Sequence, residues 1–197
     1  MTAPAARTYR ALPLGELLDH VSSPEPTPGA GYCAAVTLEM AAGLVAMTAR
    51  VSRADWGEAR GAAAQASTLL ERIAPLAERN VEAYREAVGL LGTAESGGKD
   101  EPLRDALAQA AGIPLEIAEA AVDVASLAAV VAERGDQALR ADAVSAALLA
   151  EAAARAAATL VEVNLGTSSS DERVARARDL AGSATAAAQR ARHTLDY

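Results

Sequence analysis

Pro24-Glu25-Pro26-Thr27-Pro28-Gly29-Ala30-Gly31-Tyr32-Cys33-Ala34-Ala35 is a proline- and glycine-dense segment that runs straight into an apolar, alanine-rich one. Proline fixes φ and discourages helix, while glycine permits positive φ and close backbone approach. The segment therefore reads as a stiff, shaped entrance to a long helix. Beyond Tyr32 proline and glycine become sparse, and alanine makes up more than a quarter of the chain. Long helices with small side chains, closely packed, are the economical reading. A helix start carries unpaired N–H groups and the positive end of the macrodipole. A glycine-lined loop feeding it can cradle an anionic group or a polar heterocycle. It can equally be a rigid turn between helices, and the motif by itself does not choose.

Composition narrows the class. The 197 residues suffice for one domain with its own core. Hydrophobic residues are 51% of the chain but aromatics only 3%, without any Phe, so the core must be built from small and aliphatic side chains. A net charge of −8 argues against nucleic acid or an anionic membrane surface as the partner. Cys33 is the sole cysteine, which excludes an intrachain disulfide and a Cys-based zinc site. His20 and His193 are the only histidines, and no metal is expected. Met1–Arg7 lacks the apolar core of a signal peptide. The run Ala41–Met47, between Glu39 and Arg50, is too short to cross a bilayer. The expectation is a soluble, cytoplasmic protein.

The spacing predicts an all-α, single-domain bundle of about five to six helices, several long and kinked. Residues 1–11 read as a flexible or draped tail and residues 12–197 as the bundle. A short amphipathic helix is expected over Leu14–His20. A second helix covers 31–53, with Val36, Met40, Leu44 and Met47 recurring at helical spacing and burial expected on most sides. A third covers about 55–91, kinked at Pro75. Thr93–Lys99 reads as a polar turn. A fourth helix covers about 101–134, bent at Pro114 and closed by a Gly135 C-cap. A fifth covers about 139–165, and a sixth starts from an N-cap at Ser170 and runs to about Leu195. No alternating strand pattern and no internal repeat is present.

Chemistry in such a bundle must lie in polar residues on otherwise apolar helices. Asn80 and Tyr84 are spaced i, i+4 and share one helix face, whereas Glu78 and Glu82 face elsewhere, toward water. Arg140-Ala141-Asp142 opens the fifth helix. Asp142 either complements the helix dipole or, entering a buried helix, becomes a proton-transfer carboxylate. Asn164 either caps the end of that helix or faces a site. No catalytic triad, P-loop or metal cluster is visible.

Together these pieces resemble the formiminotetrahydrofolate cyclodeaminase / methenyltetrahydrofolate cyclohydrolase family, from about Leu14 to Ala191. The family's opening helix, proline–glycine loop and following Ala-Ala look like Leu18-Asp19 and Pro26-Thr27-Pro28-Gly29-Ala30-Gly31-Tyr32-Cys33-Ala34-Ala35. Its Val-Pro-Leu bend is similar to Ile113-Pro114-Leu115. A Gly…Ser-Asp…Ala-Ala element is matched by Gly135…Ala141-Asp142…Ala146-Ala147, and a late Asn-Leu by Asn164-Leu165. The resemblance implies a helical homodimer that binds a reduced folate, a tetrahydrofolate derivative serving as substrate, without metal. It implies either cyclisation of a 5-formimino group with loss of ammonia or hydrolysis of a 5,10-methenyl bridge, with a proton donor or acceptor near the one-carbon unit. Carried onto this chain, it suggests Asp142 as the proton-transfer group and Asn80 as orienting the reacting group. Pro28, Gly29, Ala30, Gly31, Tyr32, Tyr84, Arg140 and Asn164 are the expected folate-binding residues. The chain departs from the pattern at several positions. Asn80 stands where the family has an Asp regarded as catalytic, Ala30 interrupts the glycine triplet, Tyr32 replaces a small residue, and Leu160 replaces an Asn. Two alternatives follow from those departures: a relative acting on another small molecule, and a catalytically inactive folate-binding or assembly module.

Overall fold

A computed structural model describes residues 8–25, 27–52, 56–91, 101–166 and 170–196. Among these, every regular element is helical: α1 (Leu14–Ser22), α2 (Ala30–Val51), α3 (Ala59–Ile73), α4 (Leu76–Leu91), α5 (Glu101–Ala110), α6 (Gly112–Arg134), α7 (Arg140–Leu165) and α8 (Glu172–His193). The α3/α4 and α5/α6 pairs are each one helix interrupted by a bend, so six helices build the bundle, as the spacing predicts. Pro75 sits in the first break. The second break falls at Ala111, not at Pro114. Pro114 has no N–H to give Ala110, and its ring crowds that carbonyl four residues back, so α5 ends there. Pro114 itself lies in the first turn of α6, where its missing N–H costs nothing.

The central helices α6 and α7 pack along each other, with α2 and α8 against them and α3 and α4 beside α2. Alanine makes the close packing possible. Ala118, Ala121, Ala125 and Ala129 of α6 and Ala143, Ala147, Ala150 and Ala154 of α7 are all buried. Helix α2 corrects the sequence expectation. Its buried residues include Ala35, Leu38, Ala42, Val45 and Ala49, whereas the larger stripe of Val36, Leu44 and Met47 is half-buried. Met40 of that stripe is 55% exposed and Val51 54%. The Ala41–Met47 run belongs to this longer helix, which by length and composition could cross a membrane; here half of it is buried inside the bundle.

Three other expectations change in detail. Gly135 ends α6 in extended backbone, φ −78° and ψ −176°, not in a left-handed cap. Its value is room: a Cβ there would stand 2.6 Å from the Val131 carbonyl oxygen and 2.8 Å from Ser52 Oγ. The cap of α8 is Asp171, not Ser170, and its carboxylate accepts from the Arg173 N–H. The N-terminal segment is docked from Thr8 onward, with a 3-10 turn over Tyr9–Ala11, and is not a loose tail there. Residues 1–7, the Thr93–Lys99 turn and residues 167–169 lie outside the described residues.

Candidate active site

The loop of residues 27–29 feeds α2 through a cis Thr27–Pro28 bond and the N-cap Gly29, which brings no side-chain acceptor to the first turn. At this end of the bundle α2 and α6 begin and α7 finishes. A cleft of about 200 Å³ opens there, lined by Thr27, Gly29, Ala30, Gly31, Asn80, Val81, Tyr84, Ala110, Pro114, Leu160 and Asn164. Helical spacing explains the set. Asn80 and Tyr84 stand one turn apart on α4, as Leu160 and Asn164 do on α7. The break at Ala111 brings Ala110 and Pro114 to the same opening.

Asn80 lies directly on the glycine loop. A Cβ on Gly31 would overlap its carboxamide, 2.5 Å from Cγ and Nδ2 and closer still to Oδ1. Gly31 is thus required for close approach, not for an unusual φ. Neither the Asn80 nor the Asn164 carboxamide has a hydrogen-bond partner among the described residues. Each offers two donors and one carbonyl acceptor to whatever enters the cleft. Among the described lining residues the Tyr84 phenol is the ionisable group; none of them carries a carboxyl, imidazole, amine or thiol.

The structure therefore brings together Gly29, Ala30, Gly31, Asn80, Tyr84 and Asn164, with Pro28 buried in the loop beside them. It leaves Tyr32, Arg140 and Asp142 out of the cleft. Tyr32 is buried to 1% exposure and its hydroxyl has no partner among the described residues. Burial, then the charges of Glu78 and Glu39, push its phenol up to about 12. Arg140 lies at the other end of α7, where its guanidinium donates to the Thr194 carbonyl at 3.0 Å. Asp142 is in the first turn of α7 and Asn164 in its last turn. At 1.5 Å per residue they are about 33 Å apart. Within one chain Asp142 cannot share a substrate atom with Asn80. It occupies the dipole-complementing position that sequence reasoning held open. Thr27, Val81 and Ala110 were not foreseen as lining; the turn-by-turn spacing from Tyr84 and Pro114 was the signal available for the last two.

Comparison with known proteins follows the same lines. The sequence profile of the formiminotransferase-cyclodeaminase family matches residues 13–182. The chain belongs to this family. A methenyltetrahydrofolate cyclohydrolase of Methylorubrum extorquens is 30% identical over 158 residues, covering 75% of this chain and 76% of the relative. The crystal structure of formiminotetrahydrofolate cyclodeaminase from Thermotoga maritima is similar over 96% of this chain and 98% of its own, with a TM-score of 0.83 and 25% identity. Membership of the formiminotransferase-cyclodeaminase family was legible in the proline–glycine loop, the Ile113-Pro114-Leu115 bend and the Asn164-Leu165 pair. All three carry residues that line, or directly flank, the cleft.

Proposed function

We propose that the protein is a folate one-carbon enzyme of the cyclohydrolase type, hydrolysing a 5,10-methenyl bridge on a reduced folate held in this cleft. The carrying observation is the pair of carboxamides, Asn80 and Asn164, which have no hydrogen-bond partner among the described residues and face an opening whose described lining carries no carboxyl or imidazole. Both named relatives act on reduced folates, which supports the folate reading over an unrelated ligand and over an inactive module. The helix starts of α2 and α6 favour the anionic tail such substrates carry.

The two reactions of these relatives make different demands. A methenyl carbon is already an electrophilic cation. Water adds to it, the bond to one ring nitrogen breaks, that nitrogen keeps one proton and solvent takes the other. A carboxamide that accepts from water and one that donates to the developing carbonyl oxygen suffice for this. Cyclodeamination must protonate a departing ammonia, and an amide cannot supply that proton near neutral pH. In this reading Asn80 orients the water or the one-carbon unit, Asn164 holds the pterin ring or the oxygen, and the segment 28–31 with Tyr84 shapes the walls. In this reading the reaction uses no residue from the far end of its own chain, and Arg140 and Asp142 serve the fold there. The chain works as a soluble, cytoplasmic homodimer.

The test follows the near-ultraviolet absorbance of 5,10-methenyltetrahydrofolate with purified protein, beside ammonia release from the 5-formimino substrate. Hydrolysis without ammonia release is expected. Asn80→Asp is expected to switch on ammonia release, at roughly 10²-fold above the uncatalysed background, the lower reach of a positioned acid. Asp142→Asn is expected to leave turnover unchanged. Ammonia release by the unaltered protein, or loss of turnover in Asp142→Asn, overturns these assignments, and absence of both folate binding and turnover overturns the function.

A further inference from the structure

The N-terminal strap, Thr8–Ala11, is used by nothing described so far, yet it touches α1, the loop at Thr27, α2 and α4. The Tyr9 hydroxyl donates to the Thr27 carbonyl at 3.2 Å and accepts from Arg85 of α4 at 3.0 Å. The Arg85 guanidinium also lies over the Tyr9 ring, 5.6 Å from its centroid. The same ring meets His20 of α1 at 5.3 Å and Tyr32 of α2 at 5.7 Å, edge to face in both cases. Next to it, the Arg10 N–H donates to Glu78 of α4 at 3.0 Å and its guanidinium pairs with Glu39 of α2. Glu78 is thus engaged, not turned to water.

The positions of these partners matter. Thr27 belongs to one wall of the cleft, and Arg85 adjoins Tyr84 on the other. Among the described residues no hydrogen bond joins the segment 27–31 directly to α4. Asn80 merely rests on Gly31. The Tyr9 hydroxyl is the polar link between the two walls among the described residues, and the Arg10 contacts repeat the bridge about two turns of α4 earlier.

We infer that the Thr8–Ala11 strap is a clamp that sets the opening of the cleft, with Tyr9 as a positioning residue for the ligand held there. The ligand part of this inference rests on the folate reading above; the clamp itself does not. Without the hydroxyl, the loop of residues 27–31 and α4 move apart more freely, and Asn80 loses its fixed relation to the α2 start. Substrate binding then weakens while the chemistry of the bound complex changes little.

Tyr9→Phe in the full chain tests this, because it keeps the ring on His20 and Tyr32 and deletes only the two hydroxyl bonds. Amide hydrogen exchange is expected to quicken over residues 27–34 and the first half of α4, and to stay unchanged in α7 and α8. KM for 5,10-methenyltetrahydrofolate is expected to rise roughly three- to tenfold, the range of one or two lost hydrogen bonds, with kcat changed less than about twofold. Unchanged exchange over residues 27–34 overturns the clamp. Faster exchange spread through α7 and α8 also overturns it, since that marks a general loss of stability. A local rise in exchange with KM unaltered overturns the positioning role. If the unaltered protein neither binds nor hydrolyses the folate, the function fails, and the exchange measurement still decides the clamp.

Discussion

Gly31 and Asn80 form the contact on which the cleft depends. Gly31 is helical and buried, so alanine suits its backbone, and the atoms nearest to an added Cβ belong to the Asn80 carboxamide. A side chain can swing aside at small cost, which separates stability from function here. Gly31→Ala is expected to change stability by less than about 1 kcal/mol while lowering turnover at least tenfold, because the displaced amide leaves the reacting atoms. Thermal melts and kinetics on one preparation check this; equal losses in both would refute it. Tyr32 gives a second residue-scale outcome. Its phenol titrates near 12 in the fold against about 10 when unfolded. The folded state therefore holds the proton more tightly. The contribution is complete below pH 10 and is lost as pH rises through 12. Tyr32→Phe also removes a buried hydroxyl without a partner, and is expected to stabilise by about 1 kcal/mol at neutral pH. Denaturant midpoints from pH 8 to 12 should fall more steeply for the unaltered protein than for the variant. The sequence marks Tyr32 as a departure near the ligand, but cannot show that it points away from the cleft: consecutive residues of a helix lie about 100° apart, and which face is inward depends on the packing partner.

The junctions between elements follow steric rules that are only partly legible in advance. Pro75 and Pro114 both announce a break. Where the second break falls, at Ala111, follows from the clash of the proline ring with the carbonyl four residues earlier, not from the proline's own position. Gly135 is legible as a helix end, but its reason is not. The extended φ suits any residue, and the demand for glycine comes from Ser52, distant in sequence and buried at the end of α2. The Ser52 hydroxyl donates to the Thr48 carbonyl at 2.8 Å and accepts from the Asp136 N–H at 2.8 Å, tying the turn after α6 to α2. Gly135→Ala drives a methyl group into this knot. A loss of about 1–3 kcal/mol is expected, typical of overpacking at a rigid site. Urea unfolding measures it, and a loss under 0.5 kcal/mol would show that the knot yields; this threshold is about the scatter of neutral surface changes.

At the scale of the whole molecule, alanine content and sparse proline are enough to read an all-α bundle, and motif order is enough to read the family. Within one chain Asp142 lies far from the cleft for a reason of length. A 26-residue helix separates its two ends by more than a ligand can span, and a motif list carries no such ruler. The apolar stripe of α2 is also misread from spacing alone, since alanine can take the inner face and leave larger residues outside. Met40 and Val51, three turns apart on one face, are the residues left uncovered. They form the face through which the proposed dimer is expected to assemble. Met40→Glu should shift the light-scattering mass from dimer to monomer with the helical content retained; a dimer that survives the change moves the interface elsewhere.

The alanine interior has a consequence for how this protein can change. An alanine has no rotamer to adjust, so a larger residue at Ala121 or Ala147 cannot be accommodated by turning a neighbour of the same kind. The helix spacing is set by methyl groups, and widening it at one level widens it along the rod. Substitution in such a scaffold is tolerated best where side chains already have freedom: exposed Ala30, the rim of α4 and the exposed parts of the N-terminal strap. Those are the cleft's own borders, so the rigidity of the rods directs diversity toward ligand choice.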